Sequence, residues 1–343
     1  MNTIGIITSG GDSPGMNSAI RAITKSALAK GMKVIGVQKG YLGLHEKRFV
    51  ELTAEKVEDI YRKGGTILYT ARYPAFNDQK VIDECAQNCR EAGIEGMVVI
   101  GGDGSFRGAR DLTHAGIPCV CLPGTIDNDI VCSEDTIGFD SSMNIISNCI
   151  NMLRDTTETL DRCSVIEVMG AGAGWMALEG GIATGADVIL VPEVKFDFEK
   201  DVVDVLKAKK AKGQNYFMVV IAECVFFPAK NSKSKKNVNF EYVNANGLET
   251  AAKFASKIQE ATGIESRATV LGHIQRGGAP SFHDCVLATD MGIHAVNLLA
   301  GGISKRVVVS RGGKIVDLDI DEGLSMEKPF NAERLKTALE VNA

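Results

Sequence analysis

The chain has 343 residues, 45% of them hydrophobic, enough to bury a large core and to divide into two domains. A formal net charge of −5 gives no global case for nucleic acid, and no apolar run approaches the roughly 18 residues of a membrane span. The nine cysteines fall partly in apolar runs (Cys119, Cys121, Cys163) and read as small buried hydrophobes of a reducing, cytoplasmic setting. Cys85 and Cys89 stand at helical spacing without further ligands nearby, so no structural metal is expected. The short basic cluster Lys230, Lys233, Lys235, Lys236 lacks interleaved aromatics and reads as a solvated loop.

The chain opens on core strand Ile4–Ile7 rather than a secretory leader. This strand runs into Thr8-Ser9-Gly10-Gly11-Asp12-Ser13-Pro14-Gly15-Met16-Asn17, and Met16–Ala29 then carries apolar residues at helical spacing. Strand Lys33–Val37 follows, then Met97–Ile100, which ends in Gly101-Gly102-Asp103-Gly104-Ser105 before a helix-like Phe106 to His114. Pro118–Leu122 leads into Pro123-Gly124-Thr125-Ile126-Asp127-Asn128-Asp129. Helical patterns at Ser141–Thr157 and Val202–Lys210 alternate with strand-like Ser164–Met169, Val188–Val191 and Phe217–Ala222. Residues 226–241 read as an insertion or long loop before a helix beginning near Leu248, and Ala268–Leu271 and Arg306–Val309 complete the strands. The pattern predicts an α/β chain with two Rossmann-like lobes, largely parallel sheets, helices on both faces, and ligands at strand C-termini.

Three of these strand ends carry chemistry. A glycine-rich turn between strand and helix presents backbone N–H groups to a phosphate, and Asp103 adds a carboxylate suited to a magnesium ion carried by that phosphate. In an extended loop, Thr125, Asp127 and Asp129 would share one side, giving a hydroxyl, a base and a second carboxylate. The alternative for this triplet is an Asx-rich surface turn. Together the three loops read as one polyphosphate site.

These motifs, with Gly272-His273-Ile274-Gln275-Arg276-Gly277-Gly278, resemble the 6-phosphofructokinases over nearly the whole chain. The resemblance implies transfer of the ATP γ-phosphoryl to the 1-hydroxyl of fructose 6-phosphate, with Mg2+, in glycolysis. It places a nucleotide lobe at 1–138 plus 274–305 and a sugar-phosphate lobe at 139–273 plus 306–343. By resemblance Asp127 is the general base, Thr125 touches the transferring phosphoryl, Asp129 supports, and Arg72 spans donor and acceptor. Asp103 is the magnesium carboxylate, and Gly11, Gly102, Gly104, Ser105, Gly108 and Tyr73 line the donor site. Tyr41 resembles the aromatic that packs on adenine, with a plain core tyrosine as its alternative. His273, Arg276, Glu223, Met169 and Gly170 match binders of the sugar phosphate. Arg162 and Arg267 match arginines reaching into a neighbouring subunit's site, which implies a homo-oligomer with shared sites, a tetramer.

Relatives using pyrophosphate tend to carry aspartate where this chain has Gly104 and lysine where it has Gly124, so two glycines favour ATP. Gly174-Trp175 points the other way, toward the pyrophosphate branch. The family's Met-Gly-Arg reads Met169-Gly170-Ala171 here, and a methyl cannot replace a charge-assisted donor. A cation from the Lys230–Lys236 loop could compensate; a weakly active regulatory paralogue is the further alternative. Arg21, Arg154 and Asp187 fit effector-site positions, but Lys25 and Ala54 replace arginines, so control by ADP or phosphoenolpyruvate is expected to be weak or absent.

Overall fold

The computed structural model describes residues 1–228, 237–327 and 329–341. The Lys230, Lys233, Lys235 and Lys236 cluster, and its suggested compensating role, lie outside the described residues. Among the described residues eleven strands form: β1 (Thr3–Ser9), β2 (Lys33–Val37), β3 (Phe49–Glu51), β4 (Gly96–Gly101), β5 (Cys119–Pro123), β6 (Cys163–Val168), β7 (Val188–Leu190), β8 (Phe217–Ala222), β9 (Ser266–Val270), β10 (Arg306–Arg311) and β11 (Lys314–Asp319). They build a seven-stranded sheet of order β11-β10-β5-β4-β1-β2-β3 and a four-stranded sheet of order β7-β8-β6-β9. The second sheet is parallel throughout; in the first, only the β2–β3 and β10–β11 pairs are antiparallel.

The chain divides into two compact units, Met1–Ser142 with Arg276–Glu327, and Met143–Gln275 with Lys328–Ala343. The expected second lobe included 306–343, but β10 pairs with β5 and β11 with β10, so both strands complete the first sheet. The apolar run Arg306–Val309 was recognisable as a strand, while its partner more than 180 residues earlier was not.

Period-two alternation explains the two faces of the first sheet. Ile4, Ile6, Val98, Ile100, Val120 and Leu122 pack in one cluster with the helices Met16–Ala29 and Phe282–Ala300. Ile7, Met97, Val99, Cys119 and Cys121 pack in the other with the helices Gln79–Glu91 and Asp103–His114. This second cluster holds Cys85, Cys89, Cys119, Cys121 and Cys132, and burial pushes the Cys85, Cys89 and Cys119 thiols up to about 12. None of the nine cysteines forms a disulfide. Among the described residues no helix is long and apolar enough to cross a membrane.

Asp284 ties the helix starts of the first unit together. It is 0% exposed; one carboxylate oxygen accepts from Gly138 N–H at 2.8 Å, and the other from the Ser141 N–H at 2.7 Å and Ser141 hydroxyl at 2.5 Å. Asp284 thereby serves as an N-terminal cap, from a distant helix, for the helix Phe139–Thr159. In the second unit, the expected helix near Leu248 is preceded by a short one, Phe240–Ala245. Asn239 fastens its start by donating to the carbonyls of Val191 and Val194.

Candidate active site

In the first unit the chain runs from β1 outward to β2 and from β4 the other way to β5, so β1 and β4 flank a topological switch point. Ligands of open parallel sheets bind beyond the strand ends at such a point. Ser9 lies opposite Gly101 in register, and Gly101 opposite Pro123, so the three glycine-bearing loops leave adjacent strand ends. The helix after β4 begins at Asp103, three residues earlier than expected, with Gly102 as its N-cap. Its first-turn N–H groups therefore lie within the glycine motif, the arrangement that receives an anion.

A side chain at Gly102 or Gly104 would enter open space, with no atom within 4 Å of its Cβ. A Cβ at Gly124 would instead lie 2.8 Å from the Ile100 side chain and 3.2 Å from Met16. A lysine therefore does not fit at Gly124 without repacking, whereas the room beside Gly104 is free. Ser105 is spent on structure, its hydroxyl donating to the Ser9 carbonyl at 3.1 Å. Gly108 leaves room for the Tyr41 ring, whose carbon a Cβ there would meet at 2.6 Å.

Tyr41 itself is a core residue, 5% exposed, stacked on Phe76 at 4.1 Å and donating to the Ser105 carbonyl at 2.6 Å. Burial raises its phenol well above the ordinary value. The packing reading of this tyrosine replaces that of an open aromatic platform. Tyr73 contacts His45 through its hydroxyl, and His45 reaches Glu84 at 3.0 Å. Arg72 is exposed.

The run after β5 is not extended. Asp127 N–H donates to the Thr125 hydroxyl at 3.2 Å, that hydroxyl lies 3.3 Å from Asp127 Oδ2, and Asn128 has a left-handed φ of 47°. A hydroxyl turn, not strand alternation, brings Thr125 and Asp127 together, with Asp127 6% exposed and Asp129 half-buried. Asp103 is half-exposed and pairs with Arg107 at 2.9 Å. Among the described residues no three acidic, histidine or cysteine side chains gather into a metal cage. One exposed carboxylate at a phosphate-receiving helix start nevertheless fits magnesium, which takes few protein ligands and the rest from phosphate and water. Arg276, expected at the sugar phosphate, belongs to the first unit and donates to the Asp12 carbonyl at 2.9 Å.

In the second unit, Met169 and Gly170 follow β6, Glu223 follows β8 and His273 follows β9, all at the C-terminal end of one parallel sheet. A Cβ on Gly170 would lie 2.3 Å from the Ala173 carbonyl, so the turn admits only glycine there. Ala171 holds a left-handed φ of 51°, and its N–H donates to Glu223 at 3.1 Å. Arg162 and Arg267 sit at the opposite, N-terminal end of the sheet, where both pair with Glu265, at 2.9 and 2.6 Å. Trp175 packs on Phe330 at 5.1 Å, which gives it a packing role of its own.

Glu193 had no sequence signal beyond a Pro-Glu step after β7. It accepts from Gly174 N–H at 2.8 Å at the start of the helix Trp175–Ala183, and burial pushes its carboxyl from about 4.5 up to about 7. Between these values the folded chain keeps a proton that the unfolded chain releases. The associated stabilisation is complete below about pH 4.5 and lost as pH rises through about 7. Glu193→Gln is expected to flatten the fall in the urea midpoint between pH 5 and pH 7.5; an unchanged slope would show that other groups cause it.

The effector candidates are internally partnered. Glu58 pairs with Lys25 and lies 3.8 Å from Arg21, and Arg154 donates to the Thr184 carbonyl. Asp187, 8% exposed, receives Lys209 at 3.0 Å, Gln214 at 2.9 Å and Met218 N–H at 2.7 Å.

A family model described as Phosphofructokinase matches residues 3–299. An ATP-dependent 6-phosphofructokinase of Clostridium acetobutylicum is 44% identical over 333 residues, covering 97% of both chains. A solved phosphofructokinase of Saccharomyces cerevisiae matches all of this chain with a TM-score of 0.84 at 30% identity, this chain spanning 47% of it. A pyrophosphate-dependent phosphofructokinase of Marinobacter aquaeolei matches with a TM-score of 0.81, covering all of this chain and 91% of its own, at 19% identity, a likeness of fold alone.

Proposed function

The chain belongs to the phosphofructokinase family, and from that premise we propose how its residues divide the work of phosphoryl transfer. It is an enzyme of glycolysis that transfers the γ-phosphoryl of ATP to the 1-hydroxyl of fructose 6-phosphate. Such transfer passes through a loose transition state, so alignment and charge neutralisation are the protein's main tasks.

Asp127 accepts the proton of the 1-hydroxyl as the O–P bond forms, and Thr125, hydrogen-bonded to it, faces the transferring group. Asp129 supports this pair. Arg72 offers a planar cation to the charge spreading over the equatorial oxygens. Gly11, Gly102 and Gly104 receive the donor phosphates on backbone N–H groups, with Tyr73 beside Arg72. Asp103, which now pairs with Arg107, is the residue that would hold a Mg2+ carried by ATP, and the ion would supply neutralisation of phosphate charge there. Met169, Gly170, Glu223 and His273 take the sugar phosphate at the other sheet's strand ends, and Arg276 steadies the donor loop through Asp12.

Arg162 and Arg267 lie at the wrong end of their own sheet for that set, which supports their service to a neighbouring subunit in a homo-oligomer, a tetramer. A cytoplasmic location follows from the reaction's place in glycolysis. The observation that carries ATP over pyrophosphate is the open space at Gly104 beside the filled space at Gly124.

The test is bisphosphate formation from fructose 6-phosphate with MgATP and MgPPi in separate reactions. Turnover with ATP alone is expected, with weak or no response to phosphoenolpyruvate and with ADP acting only as a product that competes with ATP. Preference for pyrophosphate would overturn the donor assignment. No turnover with either donor would favour the regulatory-paralogue reading that Ala171 raises, and sigmoidal phosphoenolpyruvate inhibition would overturn the weak control expected from Lys25 and Ala54.

A further inference from the structure

Residues 63–73, which end on Arg72 and Tyr73, have neither helix nor strand to hold them. They are nevertheless fastened, and the fastenings converge on the two flanks of one glycine loop. Asn17 closes that loop and lies in the first turn of the helix Met16–Ala29 at 1% exposure. Its amide nitrogen donates to the carbonyls of Lys63 at 3.0 Å and Gly64 at 3.3 Å, and its Oδ1 accepts from Ile67 N–H at 2.8 Å. A buried amide is costly unless its donors and acceptor are met, and here all three bonds reach one segment some fifty residues away.

Thr8 opens the same loop from the end of β1. Its hydroxyl donates to the Tyr69 carbonyl at 2.9 Å and lies 3.0 Å from the Thr66 hydroxyl. A Cβ on Gly64 would come 2.2 Å from the Gly278 carbonyl, so the segment also lies backbone to backbone against its neighbour. The loop that receives phosphate and the segment that carries Arg72 are thus one hydrogen-bonded unit.

We infer that Asn17 is a positioning residue for phosphoryl transfer, holding the Arg72 segment in register with the glycine loop after β1. The inference rests on the reading of Arg72 given above. Misplacing a catalytic group by about 1 Å can cost on the order of 10²-fold, so the effect should fall on kcat. Thr8 is the second anchor of the same tether.

The test is a double-mutant cycle in steady-state kinetics with MgATP and fructose 6-phosphate, with urea midpoints taken on every variant. Asn17→Ala is expected to lower kcat by about 10- to 10²-fold with little change in the KM of the sugar phosphate. In an Arg72→Ala background the same change should add almost nothing, because the group it positions is gone. Thr8→Val, nearly isosteric, should repeat the pattern more mildly, and it carries the test if Asn17→Ala does not fold. An Arg72→Ala enzyme that is crippled but still loses the full Asn17 or Thr8 factor would overturn the inference alone. Full turnover in Arg72→Ala would overturn the reading of Arg72, and the inference with it.

Discussion

Replacing Asp127 by asparagine is expected to lower kcat by about 10²–10⁴-fold, the usual contribution of a positioned general base. The substitution keeps the shape of the side chain and an oxygen able to face Thr125, so the turn after β5 persists. What disappears is the group proposed above to take the 1-hydroxyl proton. The KM of fructose 6-phosphate should change little, since the lost interaction develops only as the O–P bond forms. Steady-state assay of bisphosphate formation, with thermal melting as the control for folding, decides the matter. A kcat within a factor of ten of the parent enzyme would move the base elsewhere, with Asp129 as the next candidate.

The largest effect on stability is expected at Asp284. Its carboxylate satisfies two backbone N–H groups and one hydroxyl, and alanine would leave all three without that partner inside the protein. Hydrogen bonds to a charged acceptor and the exposure of orphaned donors together set a loss of about 4 kcal/mol. Burial of the carboxyl opposes this, raising it above the ordinary carboxylate range despite the three donors. The net loss should therefore fall below the sum of the separate bonds. Ser141→Ala, which removes the hydroxyl that donates to Asp284 and accepts from Ser281 N–H at 2.8 Å, should cost about 2 kcal/mol, giving an internal scale for urea unfolding. Equal losses in the two variants would show that the backbone donors find other partners.

Much of this was legible in the chain because local signals and fold agreed. Continuous apolar runs at Ile4–Ile7, Met97–Ile100 and Pro118–Leu122 marked strands buried on both faces of a parallel sheet, and the glycine motifs marked their ends. The register that sets Ser9, Gly101 and Pro123 side by side is a long-range property, yet three similar motifs implied it. Other features had no local signature. The short edge strand Phe49–Glu51 is held by pairing rather than by its own hydrophobic pattern, whereas the hairpin strand Lys314–Asp319 does have a local sign, the two-residue turn Gly312-Gly313 with both residues at positive φ. Tyr41 illustrates a different limit: the resemblance offers it as an aromatic for adenine, while only packing reveals that Phe76 and the space at Gly108 enclose its ring. Thr125 and Asp127 were paired for the wrong reason, since the left-handed Asn128 replaces the expected alternation by a turn. Glu193 was silent, and Asn17 stood only as the last residue of the first glycine motif, because their importance lies in which backbone groups they meet.

The division of the chain has a consequence for its synthesis. Residues 143–275 are continuous and contain every strand of the four-stranded sheet, so that sheet is complete once β9, ending at Val270, has left the ribosome. The seven-stranded sheet starts first, yet it waits for β10 and β11, the last ending at Asp319. Until then β5 presents an open, apolar edge to the cell, and closing it requires pairing across a long chain separation, a slow step. The half of the molecule made first is thus finished last, and its nascent β5 edge is the part most in need of a chaperone.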